Sequence, residues 1–65
     1  MNARKNEIRD YLRKMQTMLK MNYFIKLVGI PQPNFSRFMK SEFNNYIISL
    51  EKLEKLLDVI HTNLT

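Results

Sequence analysis

Between Asn6 and Gln16 the apolar residues Ile8, Tyr11, Leu12 and Met15 recur at i, i+3, i+4 and i+7, the spacing that gathers side chains onto one face of an α-helix. Asn6 is placed to cap its start, Asp10 and Lys14 to form an i,i+4 pair, and Arg9, Arg13 and Lys14 fall mostly off the apolar face. After a break at residues 17–20 a second helix is expected from Met21 or Asn22 to Val28, with Phe24, Ile25 and Val28 inward; the pattern alone also permits one continuous helix. Gly29, the only glycine, ends it by reaching the left-handed conformation that closes a helix.

Pro31 and Pro33 follow, and proline fits a helix's first turn because the N–H it lacks has no intrahelical partner there. A third helix is therefore expected over residues 32–40, burying Phe35, Phe38 and Met39. Residues 41–49 carry the turn-prone pair Asn44-Asn45 and read as a loop, though Phe43, Tyr46, Ile47 and Ile48 are too apolar to be fully solvated. Ser49 caps a last helix whose Leu50, Leu53, Leu56, Leu57 and Ile60 form one face. The expectation is a single all-α domain over residues 1–65, a small bundle of four, or five, short helices.

Composition narrows the class. With 65 residues, 45% hydrophobic and 26% charged, the chain has the apolar content of a folded core. At this length folding buries only about 60% of the unfolded surface, so dimerisation would add stability. No cysteine and a single histidine, His61, leave no basis for a disulfide framework or a metal site, and no cofactor is expected. No apolar run is long enough to cross a bilayer, and Arg4, Lys5, Glu7, Arg9 and Asp10 interrupt any leader-like start, so a cytoplasmic protein is expected.

The net charge of +5 is unevenly placed: residues 1–40 hold nine basic groups against two acidic, and residues 41–65 hold two basic against four acidic. One end of the chain is thus built to attract a polyanion.

Two helices joined through a glycine turn are the layout of a helix-turn-helix, whose second helix is laid in the major groove of duplex DNA while the first braces it. With Phe35 and Phe38 inward, Gln32, Pro33, Ser36 and Arg37 face outward and Asn34 flanks them, making these five the candidate base contacts. Gln and Asn suit bidentate pairing with adenine and Arg with guanine. Phosphate contacts are expected from Lys20, Asn22, Lys26, Lys40 and the Asn44-Asn45 pair.

The stretch V-G-I-P-Q-P-N-F-S-R-F-M-K-S, followed by I-S-L-E-K-L-E-K-L-L, resembles the Cro/CI-type (Xre-like) helix-turn-helix of phage, plasmid and mobile-element repressors. The matching positions are Gly29, Ile30, Gln32, Ser36, Arg37, Phe38, Ser49 and Leu50, and the resemblance spans roughly residues 8–60. It implies a lambda-repressor-like domain, base reading at Gln32 and Arg37, and transcriptional repression. The chain departs from that pattern at Lys20-Met21 in place of Ser-Gln, at Ile25 in place of a small residue, at Pro31 in place of a capping serine, and at Ser41 in place of a frequent glycine.

An enzyme acting on a small-molecule substrate is not expected, because nothing in the sequence supplies a cluster of catalytic groups. The apolar residues Phe43 to Ile48 and the tail residues Leu57, Ile60 and Leu64 are read as a homodimer seam, and an isologous dimer would present two recognition helices about 34 Å apart. The alternative is a protein-interaction module on the same fold, an antitoxin, antirepressor or adaptor, that uses the same residues to bind another protein. Membrane binding by the basic first helix is disfavoured because its apolar face is better explained as core. RNA binding is disfavoured because no aromatic-studded strand or Gly-rich clamp is present.

Overall fold

The computed structural model of the protein describes residues 3–16 and 20–64. They form an all-α bundle: α1 (Ala3–Met15), α2 (Met21–Val28), α3 (Gln32–Lys40), a 3₁₀ segment (Glu42–Ile47) kinked at Asn44, and α4 (Leu50–Leu64). Among the described residues there is no strand.

α1 departs from expectation at its start and along one flank. It begins at Ala3, ahead of Asn6, as the good helix formers Ala, Arg and Lys permit. Asn6 is consequently interior and caps nothing; its Oδ1 accepts hydrogen bonds from Arg9 Nη1 at 2.7 Å and from Asn45 Nδ2 at 3.1 Å. Ile8 and Leu12 are buried as the spacing predicts, but so is Arg9, which was expected off the apolar face.

Residues 17–19, where the break was expected, lie outside the described residues. Lys20 has φ −78°, ψ 78°, outside the helical region, so α2 starts afresh at Met21. It buries Met21, Phe24, Ile25 and Val28. Gly29 takes φ 86°, and the paired hydrogen bonds from Gly29 N to Lys26 O at 3.2 Å and Ile30 N to Ile25 O at 2.9 Å satisfy two carbonyls of the helix's last turn. Buried Ile30 then leads the chain into α3.

Both prolines serve α3. Pro31 is its extended N-cap at φ −61°, and Pro33 sits in the first turn. Phe35 N donates to Pro31 O at 3.0 Å, the first bond of the helix. Phe35 and Phe38 are buried and Met39 half-buried.

Residues 42–47, expected as loop, form the 3₁₀ segment, which makes the bundle one of five helical elements. Ser41 Oγ accepts from Phe43 N at 3.1 Å and opens it. Its apolar residues divide: Ile48, just beyond, is buried and Ile47 half-buried, while Phe43 and Tyr46 stay exposed. Ser49 Oγ accepts from Lys52 N at 3.3 Å, capping α4 as expected. α4 lays Leu53, Leu56, Leu57 and Ile60 across α1 and α2, and the 3₁₀ segment packs on α3.

Candidate nucleic-acid interface

α2 and α3, joined by the three-residue turn at 29–31, form with the end of α1 an open groove of about 900 Å³. Its floor is apolar, made by Met21, Phe35 and Met39; its walls carry Arg13, Lys20, Lys26 and Lys40 with the polar Gln16, Asn22, Gln32 and Ser36. A smaller hollow of about 320 Å³ adjoins it between Ile25, Ile30 and Pro31, sharing Asn22, Lys26 and Gln32. Six candidate contact residues, Lys20, Asn22, Lys26, Gln32, Ser36 and Lys40, therefore meet in one place, and all six are exposed.

The other candidates lie elsewhere. Pro33 and Arg37 are exposed on the outer surface of α3 and Asn34 is half-buried. At about 100° per residue, Gln32 and Arg37 stand about 140° apart around the helix axis, flanking Ser36, Lys40 and Pro33 between them. Asn44 and Asn45 are bound into the fold: Asn44 Nδ2 donates to Arg37 O at 2.7 Å, Asn45 Nδ2 donates to Asn6 Oδ1, and Asn45 Oδ1 accepts from Arg9 Nη2. The Asn44 amide braces the end of α3, and the Asn45 amide ties the 3₁₀ segment to α1.

The distribution of partnered and partnerless cations is the main electrostatic feature. Arg4 pairs with Glu54 at 2.8 Å and with Glu7 at 3.3 Å, and the bond to Glu54 raises its pKa above the ordinary arginine value. Lys5 Nζ donates to Asn45 O at 2.8 Å, Arg13 donates to Met39 O, and Lys52 Nζ donates to Gly29 O at 3.0 Å. Arg9 is buried, and desolvation, followed by the neighbouring Arg13, pushes its pKa below the ordinary value. Among the described residues the cations that make no hydrogen bond or ion pair are Lys20, Lys26, Arg37, Lys40 and Lys55. Four of these five belong to α2, α3 and the residue that opens α2.

No protein-family model, curated protein or solved structure matches this chain.

Sequence reasoning missed three residues of the groove wall. Arg13 comes from the last turn of α1 and Gln16 directly follows that helix, and Tyr23, 57% exposed, lies between Asn22 and Lys26 in the chain. Only Tyr23 left a signal, a large aromatic off the α2 apolar face and next to two candidate contacts. Gln32 and Arg37 have side chains with no hydrogen bond to the described residues, so their amide and guanidinium groups are open to an external partner. Among the described residues no group of three His, Cys, Asp or Glu is placed to hold a metal ion, and no helix is long and apolar enough to cross a membrane.

Proposed function

We propose that this chain binds double-stranded DNA with sequence preference, α3 lying in the major groove, and acts as a small transcriptional regulator. The observation that carries this reading is the concentration of partnerless cations along α2 and α3, beside exposed Gln32 and Arg37. Cations that the fold leaves unneutralised on one surface favour a polyanion, because each phosphate they meet releases condensed counterions. Amide and guanidinium groups on the same helix supply the donors and acceptors that distinguish base edges.

In this reading Gln32, Pro33, Asn34, Ser36 and Arg37 face the bases, and Lys20, Asn22, Lys26 and Lys40 hold the phosphates, with Arg13, Gln16 and Tyr23 added from the groove wall. Asn44 and Asn45 are given no phosphate contact in this reading, because both amides are engaged within the fold. The resemblance to Cro/CI-type repressors supports the same assignment, and with it a phage, plasmid or mobile-element regulator that blocks a promoter by occupying it.

A homodimer belongs to the proposal. The longest dimension of one copy is 32 Å, about one turn of B-DNA, so a single copy covers half of a two-fold symmetric site. Phe43 and Tyr46, the most exposed large apolar side chains among the described residues, favour a protein neighbour there; the second reading is that this neighbour is a different protein and the chain an adaptor. Selection from a random duplex library tests both. A two-fold symmetric consensus is the expected result, and equal binding to all duplexes at low ionic strength would remove the DNA reading.

A further inference from the structure

α3 ends without a glycine: Ser41 follows it in extended geometry, φ −161°. The last carbonyls of a helix have no intrahelical donor and must be met some other way. Here three consecutive ones are each taken by a side chain from outside the helix. Asn44 Nδ2 donates to Arg37 O at 2.7 Å, Arg9 Nε to Phe38 O at 2.7 Å, and Arg13 Nη2 and Nε to Met39 O at 2.6 and 3.0 Å.

Two of the three donors come from α1, and they are part of a series. Lys5, Arg9 and Arg13 stand at i, i+4 and i+8, a stripe down the flank of the α1 apolar face, and all three donate to main-chain oxygens of α3 or the 3₁₀ segment. Arg9 is the centre. It is 2% exposed, its guanidinium carbon lies 4.3 Å from the centroid of the Phe38 ring, and its remaining donors reach Asn6 Oδ1 and Asn45 Oδ1. No carboxylate lies within ion-pair distance of it among the described residues. The acceptors are instead amide oxygens and the negative end of the α3 dipole. Replacing a buried charged group and its partners by apolar side chains of similar volume is often neutral or stabilising, so stability alone does not account for the arrangement.

We propose that Arg9, with Arg13 and Asn44, is a positioning residue: this clamp sets the tilt and register of α3 against α1, and so decides how sharply the exposed face of α3 discriminates among duplexes, without Arg9 touching DNA. The inference rests on the DNA-binding reading above for its functional half. Its structural half, that the clamp holds the last turn of α3, stands independently. Most of the basic stripe of α1, which composition alone would assign to DNA, is thereby an internal device.

The test compares the full-length wild type with Arg9→Met and Asn44→Ala. Two quantities are read: amide hydrogen exchange along the chain by NMR, and affinity for a selected duplex against a scrambled one across a salt series. For a folded Arg9→Met, exchange at Met39 and Lys40 rises about tenfold while α4 is unchanged, and preference for the selected duplex falls by about tenfold, the scale of one charge-assisted hydrogen bond. Scrambled-duplex affinity and its salt slope stay as in the wild type, because no phosphate contact is lost. Equal losses on both duplexes, or unchanged exchange and unchanged preference, overturn the proposal. Should Arg9→Met fail to fold, Asn44→Ala, which removes one surface arm of the clamp, decides by the same criteria; a loss on both duplexes with a flatter salt slope would instead make Asn44 a phosphate contact. If the wild type prefers no duplex, the DNA reading is what has failed, and exchange confined to the last turn of α3 still decides the clamp.

Discussion

Lys52 on α4 holds the turn between α2 and α3 through Gly29, its Nζ donating to the Gly29 carbonyl at 3.0 Å. The same glycine has φ 86°, a conformation that costs an L-residue roughly 1–2 kcal/mol, so Gly29→Ala is expected to destabilise by about that amount. Space is not the reason, because a β-carbon there would meet only Lys52 Nζ, at 3.7 Å. Gly29→Asn should cost less, since asparagine tolerates the left-handed region. Thermal unfolding checks both: at roughly 4–8 °C per kcal/mol for a domain of this size the alanine variant melts clearly lower. Equal melting of all three proteins would mean that backbone conformation at residue 29 is not what closes α2.

Phe38 is fully buried beneath Arg9 and is the largest of the fully enclosed side chains. Phe38→Ala removes the ring and leaves both a cavity and an arginine without its stacking surface, a loss of roughly 3–5 kcal/mol. A domain of this length commands only about 0.05–0.15 kcal/mol per residue, so the variant is expected to lose about a third or more of its stability and to unfold at a much lower urea concentration, as followed by circular dichroism. Phe38→Leu, which retains most of the volume, should fold with a lowered urea midpoint. An alanine variant with wild-type midpoint would show that the α1–α3 contact is not central to the core.

How much of this was readable in advance follows from the kind of interaction involved. The helical faces were legible because they are driven by apolar area at 3.6-residue spacing: Phe24, Ile25, Val28, Phe35, Phe38, Leu53, Leu56 and Ile60 are all buried as the pattern requires. Gly29 and Ser49 were legible because their roles are local to the backbone. Arg9 was not, since its burial depends on the Phe38 carbonyl, 29 residues away, needing a donor, and nothing local distinguishes it from a solvated arginine. One sign was present, the i, i+4, i+8 series Lys5, Arg9 and Arg13 bordering Ile8 and Leu12. The internal bonding of Asn44 and Asn45 was hidden for a similar reason: turn-prone residues look free in sequence, and here the Asn44 amide meets a carbonyl seven residues back and the Asn45 amide meets Asn6, 39 residues away. The groove itself could only be seen once α1, α2 and α3 were brought together.

Phe43 and Tyr46 are 84% and 77% exposed, at i and i+3 of the 3₁₀ segment, so they contribute little to the stability of one copy. The double variant Phe43→Ser, Tyr46→Ser is expected to change unfolding free energy by no more than about 0.5 kcal/mol, as for most surface substitutions. If they form the seam between two copies, the variant loses affinity for a two-fold symmetric duplex while binding an isolated half-site as the wild type does. Sedimentation of the DNA complexes distinguishes the outcomes. Unchanged two-to-one complexes would place the seam on another surface.

Under the proposed DNA-binding reading, Arg37 and Lys26 would separate base from phosphate contact most sharply, since both are exposed, partnerless cations on adjacent helices yet only Lys26 lines the groove. Lys26→Ala should weaken selected and scrambled duplexes alike and flatten the dependence of log affinity on log salt by about one unit, the signature of one lost phosphate contact. Arg37→Ala should instead lose roughly 1–3 kcal/mol on the selected duplex only, with tolerance appearing at one base pair and the scrambled duplex little changed. Both variants replace side chains that bond to nothing within the fold, so neither is expected to alter unfolding, and differences in affinity report the interface alone. Equal losses on both duplexes for Arg37→Ala would move that residue to the phosphate set and leave Gln32 as the principal base-reading side chain of α3.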